Sequence, residues 1–250
     1  MSFKLKYSSE GDIGVITLSN PPYNNLTHPV FEDLSTLTDF LAAPEFKAIL
    51  VKGQGRHFCA GADLNKLREQ VKSEEDFGAL LSRGKALLEA ISLSTIPVVA
   101  VVKGSCLGAG LEIALSCHFR CASRHAMLGF PEADLGLMPG FGGTISAREA
   151  AGRGAALELI LTGRMIRGEE AAELGIVDEV SPPGEVENKA VDFIRSLTEG
   201  RSTRLIRAVL TSIHNSGRMP RNKALNEETL LFCKLAQKAG IEENNNSNNE

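Results

Sequence analysis

The sequence predicts an α/β fold, and three observations support this prediction. Short apolar runs rich in β-branched residues, such as 98–102, have the length and composition of buried strands. Longer stretches, such as 80–93, place leucines at helical spacing. The two kinds of segment alternate along 250 residues that are 43% hydrophobic, which suits one or two domains with a substantial core.

The first part of the chain alternates strands with a helix. Strands over 3–7 and 13–18 are predicted to pair through the turn at 9–12. An amphipathic helix over 29–41 and a strand over 46–52 follow. This strand–helix–strand order indicates a βαβ unit.

Helices dominate the second half of the chain. After strand 98–102 a glycine-rich turn leads into an apolar helix that begins near Gly108. The further predictions are helices over 144–152, 153–162 and 168–174, a strand over 176–180, and helices over 185–197, 204–214 and 221–239. We therefore expect a core over 1–183, a helical C-terminal region over 184–240 and a disordered asparagine-rich tail over 241–250.

Composition excludes several classes of function. A net charge of −4 argues against nucleic acid as the main partner, and no apolar run is long enough to span a bilayer. The N-terminus reads as a strand rather than a signal or transit peptide, so a cytoplasmic location is expected. Five cysteines form no paired framework, and Cys117-His118-x-x-Cys121 lacks a second cluster, so neither disulfides nor a metal site is expected.

Two lone carboxylates mark the candidate chemistry. Glu112 lies on the apolar helix, and Glu132 follows Pro131. Burial raises the pKa of a carboxyl group, and two such groups in one site can hold a water molecule and exchange a proton. The small residues at 108–110 let a ligand approach the helix start, where the Ala109 N–H could stabilise an oxyanion. A solvated helix start and an ordinary turn glutamate form the alternative interpretation.

Four motifs resemble those of the crotonase (enoyl-CoA hydratase/isomerase) superfamily. They are FCAGADL at Phe58–Leu64, GAGLEIA at Gly108–Ala114, GFPEADLGLMPGFGGT at Gly129–Thr144 and LTGRMIRGEEAAELGIVDEV at Leu161–Val180. Their order and spacing match the family, and the resemblance runs from about Phe3 to about Ala236. It implies a crotonase-like spiral of ββα units with a helical C-terminal region.

The resemblance also implies roles for individual residues. The backbone N–H groups of Ala60 and Ala109 would form the oxyanion hole for a thioester carbonyl. Glu112 and Glu132 occupy the positions of the family's paired catalytic glutamates, and Gly140 stands beside the catalytic water. The residues implied to contact coenzyme A are Ala60, Gly61, Ala62, Asp63 and Leu64. Phe77, Leu80 and Leu81 are candidates for the acyl pocket, with core packing as the alternative role.

The implied activity is that of an enoyl-CoA hydratase in fatty acid metabolism. Glu112 would act on the water and Glu132 on the proton that the α-carbon receives, with the pair titrating as a unit. No metal or redox cofactor is expected, since coenzyme A is part of the substrate. A homotrimer or a dimer of trimers, assembled through the C-terminal helices, is the implied state, with neither nucleic acid nor membrane as partner.

Three alternatives remain open. The first is an enoyl-thioester isomerase, and the second is a hydratase that acts on an acyl-carrier-protein thioester. The carrier alternative arises because the asparagine-rich tail stands where many hydratases continue with a basic, aromatic helix. The third is a catalytically silent assembly subunit, which would not require buried acids.

Overall fold

The computed structural model describes residues 3–69 and 74–238, so the predicted tail over 241–250 lies outside the described residues. The strands are β1 (Lys4–Glu10), β2 (Ile13–Ser19), β3 (Ala48–Gly53), β4 (Val98–Val102), β5 (Ser105–Leu107), β6 (Phe119–Ser123), β7 (Met127–Gly129), β8 (Met165–Arg167) and β9 (Glu179–Ser181). The helices are α1 (Leu34–Ala42), α2 (Leu64–Arg68), α3 (Glu74–Ser92), α4 (Ala109–Ser116), α5 (Gly143–Thr162), α6 (Gly168–Glu173), α7 (Val186–Thr198), α8 (Thr203–Arg218) and α9 (Arg221–Lys238), with a 3₁₀ helix at Pro131–Leu135. Among these helices, none combines the length and the apolar character needed to cross a membrane.

Two sheets organise the chain. The larger has the strand order β1-β2-β3-β4-β6-β9, in which β1 and β2 are antiparallel and the remaining neighbours are parallel. The smaller sheet has the order β5-β7-β8, with β5 and β7 parallel and β7 and β8 antiparallel. Parallel neighbours require crossover connections, and the helices between the strands supply them.

Helices cover both faces of the larger sheet. On one face, Val99 and Val101 of β4 pack in one apolar cluster with Ile194 of α7. On the other, Ala100 and Val102 share a cluster with residues of α1, α3 and α4. All five residues of β4 are buried, which explains why this strand reads as a continuous apolar run. Helix α7, the first helix of the predicted C-terminal region 184–240, thus packs on the larger sheet.

The predicted starts of α1 and β9 are wrong for identifiable reasons, and α3 begins at Glu74 rather than at Leu80. Helix α1 begins at Leu34 rather than at Pro29, because the Asp33 side chain accepts a hydrogen bond from the Thr36 N–H and caps the helix there. Strand β9 begins at Glu179 rather than at Ile176, because the Ile176 N–H donates to the Ala171 carbonyl and prolongs the turn after α6. In contrast, the predicted division of α5 at Gly152 is confirmed by a φ of 77° inside the helix.

Candidate active site

Two glycine-containing segments, 58–64 and 104–110, meet at the carboxyl ends of neighbouring strands of the larger sheet. Segment 58–64 follows β3 and segment 104–110 follows β4, and these neighbouring strands are parallel, so their carboxyl ends lie side by side. The Leu107 N–H donates to the Cys59 carbonyl at 3.0 Å. A Cβ at Gly110 would collide with that same carbonyl oxygen, so only glycine permits the approach.

The start of α4 presents an unused donor. Gly108 occupies the N-cap with φ 50°, and no side chain caps the helix. Within the described part of the chain, the Ala109 N–H has no hydrogen-bond partner. An unpaired N–H at a helix N-terminus, where the helix dipole is positive, suits an oxygen that acquires negative charge.

The second predicted donor, Ala60, is contradicted by the structure. Its N–H donates to the Tyr23 carbonyl at 3.0 Å and is not available to a ligand. No local pattern around Ala60 reveals this bond, because Tyr23 lies in a distant turn that follows Pro21-Pro22.

The residue that sequence reasoning missed as a donor is Ala62. Leu26 pairs with this segment on one side, donating to the Gly61 carbonyl at 2.9 Å and accepting from the Asp63 N–H at 2.7 Å. The Ala62 N–H has no partner among the described residues. Gly61, with φ 102°, lies against the Leu107 carbonyl, which places Ala62 beside the segment that leads into α4.

Glu112 is held by the start of α5. Its side chain is 3% exposed, and Oε1 accepts hydrogen bonds from the N–H groups of Phe141 and Gly143, each at 2.7 Å. Burial raises its pKa to about 7, the two N–H donors oppose this rise, and the charge of Glu132 adds to it. Because these bonds engage Oε1 alone, Oε2 is left for another partner.

Glu132 faces the start of α4 from the 3₁₀ helix. Strand β5 pairs with β7, and the Gly108 N–H extends this pairing by donating to the Gly129 carbonyl at 2.9 Å. These bonds bring the start of α4 and the 3₁₀ helix together. A Cβ at Gly108 would lie 2.5 Å from Glu132 Oε1, so the carboxyl group rests on the glycine that precedes Ala109. Oε2 is buried without a partner, and burial raises the pKa of this side chain. An unpaired buried carboxyl oxygen is costly unless a proton or a ligand satisfies it.

The candidate residues on α2 and α3 differ in how closely they approach this site. Asp63 caps α2 by accepting from two backbone N–H groups, and its contact with coenzyme A stays a prediction. On α3, Leu81 lies nearest to the Cβ position of Gly140, at 3.9 Å. Phe77 and Leu80 are half-buried on the same helix, and their role in an acyl pocket stays a prediction.

Gly143 and Gly140 form a matched pair for a stability test. A Cβ at Gly143 would lie 2.8 Å from Phe130 and Pro139 and 2.9 Å from Glu112 Cγ. We expect Gly143→Ala to lower the free energy of unfolding by about 1–3 kcal/mol, as overpacking does. Gly140→Ala should lower it less, because a Cβ there would meet only Leu81, at 3.9 Å. Urea unfolding measures both, and equal effects of the two substitutions would contradict this packing.

The burial of Glu112 predicts a pH-dependent stability. A pKa raised from 4.5 to about 7 contributes stability that is fully present below pH 4.5 and is lost as the pH rises through 7, where the buried group ionises. Glu112→Gln keeps an oxygen for the two N–H donors and cannot ionise. At pH 8 we expect the free energy of unfolding of Glu112→Gln to be about 3 kcal/mol higher than that of the parent chain.

The control for this experiment is the same comparison at lower pH. The difference in free energy of unfolding between Glu112→Gln and the parent chain should decrease as the pH falls from 8 to 4.5, and should then stay constant. Urea unfolding across this pH range measures it, and a difference that does not change with pH would refute the raised pKa.

Comparisons with known proteins agree with this geometry. The sequence model of the family described as "Enoyl-CoA hydratase/isomerase" matches residues 8–250. A protein of Bacillus subtilis (strain 168) named "Probable enoyl-CoA hydratase" is 41% identical over 166 residues, which cover 66% of this chain and 64% of that protein. The "Peroxisomal fatty acid beta-oxidation multifunctional protein AIM1" of Arabidopsis thaliana is 35% identical over 209 residues, 83% of this chain and 28% of that protein. The chain thus spans less than two thirds of the length of either relative.

Solved structures extend the comparison to the whole fold. The crystal structure of an enoyl-CoA hydratase from Polaromonas sp. JS666 superposes with a TM-score of 0.86 at 26% identity, covering 96% of this chain and 95% of that one. Its similarity covers the α/β core and the helical C-terminal third alike. The chain belongs to the enoyl-CoA hydratase/isomerase family and has its crotonase fold.

Proposed function

We propose that this chain adds water reversibly across the 2,3 double bond of a trans-2-enoyl-CoA thioester and so forms the 3-hydroxyacyl-CoA. One observation carries the proposal. Glu112, which is buried, and Glu132, which is half-buried, both have a raised pKa and lie beside the unpaired N–H at the start of α4. Hydration needs a base for the water, an acid for the carbon and a donor for the carbonyl oxygen, and this site offers all three.

The thioester oxygen would accept from the N–H groups of Ala109 and Ala62. Attack of water at C3 of the enoyl group moves an electron pair towards C2 and the carbonyl, so negative charge develops on the thioester oxygen. Two fixed donors at that position stabilise the enolate-like transition state, and each donor is worth about 3–4 kcal/mol in comparable oxyanion holes. The donors cost no reorganisation because the backbone already holds them.

The two carboxyl groups would divide the proton transfers. Glu112, with Oε1 fixed by α5, accepts a proton from the water through Oε2 as the new C–O bond forms at C3. Glu132, protonated, donates to C2 from its unpartnered oxygen. Exchange of a proton between the two groups restores the starting state, so their titration belongs to the pair.

Substrate contacts follow from the neighbouring segments. The stretch 60–64 is proposed to hold the coenzyme A part of the substrate, and Leu81 the acyl side near Gly140. The chemistry uses neither a metal nor a redox cofactor of the protein. An acyl-carrier-protein thioester presents the same reactive group and remains an alternative substrate. Assembly as a homotrimer or a dimer of trimers and a cytoplasmic location stay predictions, and several relatives are named peroxisomal.

A second activity is favoured by the different surroundings of the two glutamates. Moving a double bond from the 3,4 to the 2,3 position needs one carboxyl group that takes a proton from C2 and returns it at C4. Glu132 has the unpartnered oxygen for this step, whereas Glu112 is engaged by two N–H donors. The same chain is therefore a candidate enoyl-thioester isomerase.

Ultraviolet absorbance of the conjugated enone separates these activities. We expect crotonyl-CoA and longer trans-2-enoyl-CoAs to lose absorbance when the purified chain is added. A gain of absorbance from a 3-enoyl-CoA would indicate isomerisation. A folded chain that changes neither substrate, including the corresponding pantetheine and carrier-protein thioesters, would refute both activities and favour a silent assembly subunit.

A further inference from the structure

A cavity separate from the glutamate pair lies between α8, α9 and the end of α1. Its volume is about 660 Å³, within the range of pockets that hold small organic ligands. Residues of α8 and α9 form most of its wall, and Pro44 closes it on the side of α1. None of the candidate active-site residues contributes to this wall, so the cavity is a distinct feature of the fold.

Positive charge dominates the cavity. Four cationic side chains line it, Arg204 and Arg207 from α8 and Lys234 and Lys238 from α9, and none of the described residues in the lining is an aspartate or a glutamate. In residues 3–69 and 74–238, none of the four forms an ion pair. Like charges held around one small volume repel each other, and an anion placed among them would relieve that repulsion.

Arg207 supplies a second, independent observation. Its Nη2 donates to the Ala42 carbonyl at the long distance of 3.4 Å, and its buried Nε has no hydrogen-bond partner among the described residues. Buried donors in folded proteins are almost always satisfied, so the guanidinium of Arg207 at the cavity wall is short of acceptors. A carboxylate or phosphate is the acceptor that a guanidinium binds best, because two parallel hydrogen bonds can form.

Apolar residues form much of the rest of the wall, which also includes Thr203, Thr211 and Gln237. These apolar residues are Leu231 and Leu235 of α9, Ala208 of α8 and Pro44. A small inorganic anion would leave this surface without a contact, whereas an organic body attached to the charged group would cover it. The geometry points to a site for an organic anion, with a carboxylate or phosphate head group beside Arg207 and an apolar body between α8 and α9.

Isothermal titration calorimetry of the full chain tests this site with octanoate and octyl phosphate as probes and 1-octanol as the uncharged control. We expect at least one of the two anions to bind at one site per chain, and octanol at least 10-fold more weakly. Which anion binds more tightly distinguishes a carboxylate from a phosphate ligand. Arg207→Met and Lys234→Gln should each weaken anion binding at least 10-fold, while Lys223→Gln, an exposed position on α9 outside the cavity, should not.

A competition experiment separates this cavity from the thioester site. Saturating butyryl-CoA, which has no double bond to hydrate, should leave octanoate binding unchanged. Displacement by butyryl-CoA, equal binding of octanol, no binding of either anion, or parent-like affinity in Lys234→Gln would each overturn the assignment. If circular dichroism shows that Arg207→Met does not fold, Lys234→Gln decides alone, because its side chain lies on the exposed side of α9.

Discussion

Replacing either Glu112 or Glu132 by glutamine is expected to lower the rate of hydration by about 10²–10⁴-fold, which is the usual contribution of a positioned acid or base. Glutamine keeps the shape of the side chain and can still accept from the N–H groups of Phe141 and Gly143. It cannot take a proton from water or release one to carbon. Steady-state kinetics with crotonyl-CoA measure the loss.

The matched control for these variants is Asp134→Asn, an exposed carboxylate two residues from Glu132 on the same 3₁₀ helix. It should keep the parent rate. Isomerisation of a 3-enoyl-CoA should be lost in Glu132→Gln and retained in Glu112→Gln, since it needs one carboxyl group. Parent-like hydration by a folded Glu112→Gln variant would remove that residue from the mechanism.

Removing the Ala109 N–H is expected to lower kcat by about 10²–10³-fold, the effect of losing one oxyanion donor. Ala109→Pro makes this change, because proline has no N–H. Ala109 is the first residue of α4, where proline's fixed φ fits a helix and where the N–H has no backbone partner to lose. The residue before it, Gly108, is outside the α region with φ 50° and ψ −123°, so it is compatible with a following proline.

Ala109→Gly is the control, since it changes the side chain and keeps the donor. Circular dichroism and urea unfolding establish that both variants retain the fold. A proline variant that folds and turns over crotonyl-CoA at the rate of the glycine variant would show that this N–H does not act on the thioester.

Much of the site could be predicted because its determinants are local. Strand β4 is apolar on both faces, and Asp63 has the side chain that caps a helix, so both could be recognised from sequence. Glu112 could be singled out because it is the lone charge on an apolar helix, and Glu132 because it follows Pro131 in a mostly apolar, glycine-rich stretch that it shares with Asp134. Their proximity depends on the pairing of two strands of three residues each, which leaves no periodic pattern.

The parts that could not be predicted depend on partners distant in sequence. The choice of Ala62 over Ala60 as a donor rests on the Tyr23 carbonyl, which occupies the Ala60 N–H. The two bonds that hold Glu112 come from the start of α5, about thirty residues further along the chain. The anion cavity needs α8 and α9 to lie side by side, and neither helix alone shows it.

Incorporation of oxygen from water tests the central claim most directly. The purified chain is incubated with crotonyl-CoA in H₂¹⁸O, and the product is analysed by mass spectrometry. Hydration predicts 3-hydroxybutyryl-CoA that carries one ¹⁸O atom on C3, formed by the parent chain and strongly reduced with Glu112→Gln. Recovery of unlabelled crotonyl-CoA alone, from a chain shown to be folded, would contradict the proposal.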